Sequence, residues 1–223
     1  MSSLRSSRFK PIENYGVIGD LHTVALVGMD ASIDFMCFPE FDSPTIFAAL
    51  LDPERGGSFQ LFPLLKQAHH KQLYLPDSNI LLTRFQAEDG MVEVSDFMPI
   101  GPLGHSHDLV RRIKCIRGDV PVRMLCDPRF DYGRAEHRVQ HRKNEILFVS
   151  RGADKTVLRL RSPVPVRIHN GAALAEFTLR SGQKAAFVLE DAGHRKETPS
   201  AAADYTSEAF KQTMNFWRDW VRH

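Results

Sequence analysis

Apolar and polar residues alternate one by one along much of the chain between about residue 14 and residue 198. A period of two places successive side chains on opposite faces of a β-strand, so each such stretch predicts a strand with one buried face and one solvated face. The clearest apolar positions of this kind are Val122, Met124 and Cys126, then Leu158 and Leu160, and then Val164, Val166 and Ile168.

Turn-forming residues separate these stretches at short intervals. Residues 88–90 (Glu-Asp-Gly) lie between the apolar stretches 81–87 and 91–97, which predicts a β-hairpin. Residues 117–119 (Arg-Gly-Asp) and 181–183 (Ser-Gly-Gln) predict two further turns. Many strands with almost no helix between them favour an all-β fold, a large antiparallel β-sandwich, over parallel βαβ units.

Two segments depart from this alternation and predict helices. Ser43 can cap a short helix near the N-terminus, Pro44 suits its first position, and Thr45–Leu51 supplies its apolar body. An alanine-rich segment that begins at Pro199 predicts a second helix, which ends near Arg222. The expected organisation is a disordered N-terminus over residues 1–10, a β-sandwich domain over residues 11–198 and a C-terminal linker helix over residues 199–223.

The C-terminal helix is predicted to carry a wide apolar face formed by two adjacent stripes at helical spacing. One interpretation is that the helix packs firmly on the sandwich and buries this face there. The other is that part of the face contacts a partner. The candidate interface consists of Phe210, Met214, Phe216, Trp217 and Trp220.

Composition narrows the class of protein without identifying a function. The chain has 223 residues, 43% of them hydrophobic and 25% charged, which is typical of a globular protein with a real core. The net charge of +2 is too small to indicate a nucleic-acid or membrane partner. The basic residues are also scattered along candidate strands and form no continuous run. Three cysteines without CxxC spacing predict buried reduced thiols. Together with a start that lacks an apolar segment, they suggest a cytoplasmic location.

The sequence offers no convincing catalytic or metal centre. Carboxylates occur in turn-like contexts, where Asp and Glu are usually turn formers or caps, so no acid/base pair is expected. Histidines with ligand-like spacing, His105 and His107 beside Asp108 and then His137 and His141, are interpreted as surface histidines, and no metal or cofactor is predicted. The carboxylates considered are Asp20, Asp34, Glu40, Asp42, Asp127 and Asp131.

Several segments resemble a known family in the order in which that family has them. They are residues 12–53, 56–63, 75–85, 93–99, 109–112, 128–134, 187–190 and 216–220. The chain resembles the N-terminal, trehalase-like or glucoamylase-type domain of glycoside hydrolase family 15. The resemblance implies a β-sandwich of the supersandwich kind and a linking helix. It also implies a following (α/α)6 barrel that carries two catalytic glutamates.

The function that this resemblance implies is non-catalytic. The domain would stabilise the family's barrel and help to wall a site for an α-glucoside, and the chain alone is expected to be inactive. The alternative is a stand-alone carbohydrate-binding or protein-interaction module, and a homo-oligomer is a further possibility. The residues expected in substrate-proximal or barrel-facing loops, all at one end of the sandwich, are Phe41, Asp42, Ser43, Phe130, Asp131 and Tyr132.

Overall fold

A computed structural model describes residues 9–100, 107–142, 145–193 and 202–222. Two antiparallel sheets of eight strands each form the fold. Sheet A has the strand order β1-β2-β3-β5-β10-β15-β14, and β4 also pairs with β3. Its strands are β1 (Tyr15–Gly19), β2 (Val24–Gly28), β3 (Ser32–Cys37), β4 (Thr45–Phe47), β5 (Ser58–Pro63), β10 (Asp119–Asp127), β14 (Arg167–His169) and β15 (Ala172–Arg180).

Sheet B has the order β11-β12-β13-β16-β9-β8-β7-β6. Its strands are β6 (His69–Tyr74), β7 (Leu81–Gln86), β8 (Met91–Phe97), β9 (Leu109–Arg117), β11 (His137–Arg142), β12 (Glu145–Ser150), β13 (Val157–Arg161) and β16 (Lys184–Asp191). The remaining elements are a 3-10 turn over Ile12–Asn14, the one-turn element α1 (Phe130–Gly133) and the helix α2 (Ala202–Val221). The predicted all-β sandwich fold is confirmed.

The main core lies between the two sheets and is built from the alternating positions. Val122, Met124 and Cys126 are buried on β10, and Leu158 and Leu160 are buried on β13. Along 164–168 the prediction holds only in part. Val164 and Val166 pack against the core, but β14 begins only at Arg167, and Ile168 is exposed on this short edge strand. The three cysteines are free thiols, and Cys115 and Cys126 are buried.

A buried ion pair joins the sheets inside this apolar core. Arg111 on β9 and Asp96 on β8 are both fully buried, and Nε of Arg111 donates to Oδ1 of Asp96 at 2.8 Å. The guanidinium also donates to the backbone carbonyl of Phe59 on β5 of sheet A, and to that of Ala31 in the turn directly before β3 of the same sheet. Arg111 therefore connects a carboxylate of one sheet to the backbone of the other.

The glycine-containing turns have two different roles. Residues 87–90 close the predicted hairpin between β7 and β8. Gly118 and Gly182 instead lie where the chain passes from one sheet to the other, and both have positive φ, +85° and +83°. A positive φ favours glycine, because a Cβ crowds the backbone there.

The short helix predicted over Thr45–Leu51 is wrong. Residues 45–47 form β4, which pairs with β3 through Met36 opposite Phe47 and Cys37 opposite Thr45. All three residues of β4 are buried, and β-branched and aromatic side chains suit such a strand. Ser43 caps no helix: its hydroxyl accepts a hydrogen bond from the amide of Glu40 at 3.1 Å and closes a turn. Among the described residues before β1, a 3-10 turn forms over Ile12–Asn14.

The C-terminal helix α2 packs on the outer face of sheet B. Tyr205 and Ala209 are buried against Phe97, Val110 and Val188, which point away from the main core. These contacts form a second, smaller core. No helix within the described ranges is both long and apolar enough to span a membrane.

Parts of the three predicted segments, 1–10, 11–198 and 199–223, lie outside the described residues. Residues 1–8 of the expected disordered N-terminus lie outside them, and so do residues 199–201, which were expected to begin the linker helix. Lys10 was also assigned to the disordered segment, but it is held in place by hydrogen bonds to Asp30 and Asp34.

Candidate functional site

Strand pairing gathers several loops at one end of the sandwich. The C-terminal end of β3 lies beside the N-terminal end of β2, because Ala25 pairs with Met36. On the other side, β5 runs antiparallel to β3, and the pairing of Ser58 with Asp127 brings the end of β10 to the same edge. The turn 20–23, the loop 38–44 and the loop 128–136 therefore share one end of sheet A, which we call the loop end.

The loop 38–44 presents the side chains of its tip, residues 40–42, to solvent. Phe41 is 56% exposed, and Asp42 is exposed beside it. The amide of Phe38 donates to the carbonyl of Pro44 at 3.3 Å, which closes the base of the loop. An exposed aromatic ring held on a closed loop is a suitable contact for a sugar or for another protein domain.

The loop 128–136 folds against β4. The amide of Tyr132 donates to Oγ1 of Thr45 at 3.1 Å, and the amide of Arg129 donates to the carbonyl of Ile46 at 2.8 Å. Asp131 and Tyr132 have positive φ, 51° and 56°. This backbone leaves Tyr132 44% exposed, while the guanidinium of Arg134 lies 5.3 Å from the centre of its ring.

Phe130 differs from the expectation that it lies in an open loop. Its side chain is fully buried and packs on His137, with ring centroids 5.6 Å apart. It anchors the loop to the main core. The structure thus places Phe41, Asp42, Ser43, Asp131 and Tyr132 on adjacent loops, and Phe130 beneath them.

Two carboxylates at the loop end, those of Asp127 and Asp131, have local arginine partners. Asp131 accepts a hydrogen bond from Nη2 of Arg134 at 3.0 Å. Burial raises the pKa of Asp127, although Arg129 opposes this effect through hydrogen bonds to Oδ2 at 3.1 and 3.2 Å. Structural ion pairs of this kind explain these side chains without catalysis.

The predicted surface histidines fall into three groups. His105 lies outside the described residues. His141 is exposed, as predicted. His137 and His107 are not surface side chains: His137 contacts the carbonyl of Gly171 at 2.9 Å and packs between aromatic rings, and the His107 side chain is only 15% exposed.

His107 belongs to a cluster at the loop end that the sequence patterns did not reveal. Its Nδ1 lies 2.8 Å from Oδ2 of Asp20, and its Nε2 lies 4.0 Å from Oε1 of Glu40. The ring of His22 is next to it, with ring centroids 5.1 Å apart. The spacing Asp20-x-His22 was the only local signal, and the third member lies 87 residues after Asp20.

A second polar network anchors the N-terminal segment to sheet A. Nζ of Lys10 donates to Oδ1 of Asp30 at 2.9 Å and to Oδ2 of Asp34 at 2.7 Å, and it also contacts the hydroxyl of Ser32. The hydroxyl of Tyr15 donates to Oδ2 of Asp34 at 2.8 Å. Burial and the hydrogen bond to Asp34 raise the pKa of Tyr15.

This network shifts the pKa of both members of its ion pair. Burial lowers the pKa of Lys10, but the hydrogen bonds and charges of Asp30 and Asp34 outweigh it, so the pKa lies above its ordinary value of 10.5. Burial raises the pKa of Asp30, but the ammonium of Lys10 outweighs it, so the pKa lies below its ordinary value of 3.8.

We expect Lys10→Met to lower the free energy of unfolding at neutral pH by roughly 1–2 kcal/mol, because it removes the charge-assisted hydrogen bonds of the ammonium. The loss is modest because these groups are partly exposed to solvent. Because the pKa of Asp30 is lowered in the folded state, its charge stabilises the fold above pH 3.8, and this contribution is lost as the pH falls through the pKa of folded Asp30. Because the pKa of Lys10 is raised, its charge stabilises the fold below pH 10.5, and this contribution is lost as the pH rises through the pKa of folded Lys10. Urea unfolding of both proteins at acid, neutral and alkaline pH checks this. A difference that does not shrink at acid pH would contradict it.

The C-terminal end of α2 carries exposed aromatic surface. Trp220 is 60% exposed and Val221 is 62% exposed. Phe216, Trp217 and Trp220 contact one another, with ring centroids 5.4–6.4 Å apart. We call Phe216, Trp217, Trp220 and Val221 the aromatic patch.

The other two residues of the candidate interface have partners within the chain. Phe210 packs edge-on against Phe97, lies under the guanidinium of Arg112, and is half-buried like Met214. Trp217 and Val221 line a shallow depression with the loop 75–79. That loop precedes β7, and the pairing of Leu81 with Asp96 brings it to the same end of sheet B as the start of β9.

Comparisons with known proteins agree on the kind of domain. The family model described as "Trehalase-like, N-terminal" matches residues 2–212. The chain is 32% identical to a trehalase of Mycolicibacterium smegmatis over 93% of its length, and 30% identical to trehalase 1 of Sulfolobus acidocaldarius, also over 93%. It is 27% identical to a trehalase of Mycobacterium tuberculosis over 99% of its length.

The chain spans only about a third of the length of these relatives: it covers 35%, 34% and 35% of them, respectively. Among solved structures, a bacterial glucoamylase complexed with acarbose superposes with a TM-score of 0.68 at 11% identity. That match covers 96% of this chain and 38% of the other. At this low identity, the superposition shows a shared fold.

Proposed function

Because the chain belongs to the family of trehalase-like N-terminal domains, we propose that it is the non-catalytic β-sandwich of a trehalase- or glucoamylase-type glycoside hydrolase. It would stabilise a catalytic (α/α)6 barrel and help to wall the entrance to that barrel's sugar site. The observation that carries this proposal is coverage: nearly the whole chain matches a third of each trehalase. The larger, unmatched part of those enzymes is the natural partner.

The aromatic patch supports a docking role for the C-terminal helix. The first part of α2 is covered by sheet B, whereas Trp220 and Val221 are left largely in water. Leaving a large apolar side chain in water forgoes roughly 1.5–3 kcal/mol of burial free energy. Tryptophan is also enriched among the residues that dominate protein interfaces. A partner domain that covers the patch would recover this free energy.

The loop end supports the role in walling a sugar site. Phe41 and Tyr132 expose their rings on adjacent loops, with Asp42 and Asp131 beside them. Aromatic rings and carboxylates on loops of a rigid scaffold are suited to contact a hydroxyl-rich ligand. The described carboxylates that have fixed partners at this end pair with arginines, with backbone amides or with His107. This arrangement favours positioning over bond cleavage.

The walling role can be tested in a fusion enzyme. The chain replaces the segment that it matches in the Mycolicibacterium smegmatis trehalase, and trehalose hydrolysis is measured. We expect Phe41→Ser with Tyr132→Ser to raise KM on the order of tenfold, since one lost contact of about 1.4 kcal/mol has that effect. Phe62→Ser is the matched control, because Phe62 is 39% exposed near the opposite end of β5. Equal KM values for the loop variant and the control would contradict the walling role.

A further inference from the structure

The histidine-carboxylate cluster at the loop end has the composition of a metal site. One oxygen or nitrogen atom from each of Asp20, His22 and His107 can be chosen so that all three lie within 4.8 Å of one another. Two imidazoles and one carboxylate suit zinc and related divalent transition metals, whereas magnesium and calcium prefer oxygen ligands alone. We propose that Asp20, His22 and His107 bind a divalent transition-metal ion of the zinc type.

The turn 20–23 already orients its two ligands. Oδ1 of Asp20 accepts hydrogen bonds from the amides of His22 at 3.0 Å and Thr23 at 2.8 Å, which directs Oδ2 toward His107. Nδ1 of His22 lies 3.3 Å from the carbonyl of Asp20. A hydrogen bond from Nδ1 to this carbonyl leaves Nε2 of His22 as the metal ligand, and a backbone carbonyl is a usual second partner of a ligating histidine.

The surroundings of His107 fit the same assignment. Its Nδ1 faces Asp20, while Nε2 points toward Glu40 at 4.0 Å, which is close enough for the carboxylate to orient the ring after a small movement. Phe38 packs edge-on against the ring, with centroids 6.5 Å apart. Asp20 is nearly inaccessible, with a side chain 3% exposed, and His107 is mostly covered. The exposed His22 leaves an approach for the ion from solvent.

The position of the cluster gives the ion a structural consequence. Asp20 and His22 lie between β1 and β2 of sheet A, whereas His107 precedes β9 of sheet B. An ion held by all three would cross-link the sheets at the loop end, close to the exposed loop 38–44. Three protein ligands leave a coordination position for water or for a group from outside the chain.

The test is zinc titration of the metal-free chain by calorimetry, with cobalt(II) absorption to report the coordination geometry. We expect one equivalent to bind and the melting temperature to rise, because the ion binds the folded state. His22→Ala and Asp20→Asn should each weaken zinc binding by about tenfold or more. Both variants keep the fold: the His22 ring is exposed, and Asn retains the oxygen that closes the turn. Circular dichroism checks this.

His141→Ala is the matched control. His141 is exposed and lies near the end of β11 that is farther from the loop end. This variant should leave the affinity for zinc unchanged. The proposal is overturned by any of three results. These are a chain that binds no zinc, affinity that is unchanged in both cluster variants, or an equal loss in the His141 control. The readout is metal binding and not sugar hydrolysis, so its outcome is independent of the proposed enzymatic role.

Discussion

Asp96→Ala should lower the free energy of unfolding by about 3–5 kcal/mol, because it leaves the fully buried guanidinium of Arg111 without its carboxylate. Arg111 would keep its hydrogen bonds to the carbonyls of Phe59 and Ala31, but these carry no full negative charge. The lost charge pair lies between the sheets, where water cannot replace it. Urea unfolding followed by circular dichroism measures the change.

Two controls separate burial from the mere loss of an ion pair. Glu176→Ala breaks exposed pairs with Arg123 and Arg167 and should still cost only about 1 kcal/mol or less. Asp96→Leu combined with Arg111→Met removes both buried charges and should recover most of the loss seen in Asp96→Ala. A cost for Asp96→Ala no larger than that for Glu176→Ala would contradict the account of the core.

Trp220→Ser should have different effects in the isolated chain and in the fusion enzyme. In the chain alone the side chain is already 60% exposed, so the free energy of unfolding should change by only about 0.5 kcal/mol. In the fusion, a tryptophan covered by the barrel would act as an interface hot spot. Its loss should weaken the free energy of docking between the two domains by about 2 kcal/mol or more. The temperature at which the fusion loses half of its trehalase activity should fall by several degrees.

The control for the aromatic patch is again Phe62→Ser, which removes an exposed aromatic ring away from α2. It should leave the inactivation temperature of the fusion unchanged. If Trp220→Ser and Phe62→Ser behave alike in the fusion, the aromatic patch is not the docking surface. Light scattering of the isolated chain at several concentrations also shows whether a second copy covers the patch.

The parts of the fold that depend on local patterns could be predicted from the sequence. The alternation at Val122, Met124 and Cys126 is a property of one strand, and those side chains are buried where the pattern places them. The helix expected over Thr45–Leu51 does not form because pairing with another strand decides the outcome: residues 45–47 pair with β3. Tertiary pairing overrode a local helix signal there.

The candidate sites depend on contacts between residues far apart in sequence. His107 meets Asp20 across 87 positions, and Lys10 reaches Asp34 across 24 positions from a segment that looked disordered. Neither contact could be predicted from a periodic pattern, because a single pair of side chains produces no repeating pattern in the sequence. The passage of the chain from one sheet to the other at Gly118 and Gly182 could not be predicted for a similar reason. A turn-forming sequence does not indicate which sheet the next strand joins.

If this chain is a non-catalytic domain that a catalytic barrel needs for function, neither the chain nor the barrel should hydrolyse trehalose without the other. The most direct measurement is glucose release from trehalose by the chain alone, by the fusion enzyme, and by the trehalase segment without the chain. We predict release by the fusion only. Release by the chain alone that disappears in Asp42→Asn or Asp131→Asn would contradict the claim, and so would full activity of the segment that lacks the chain.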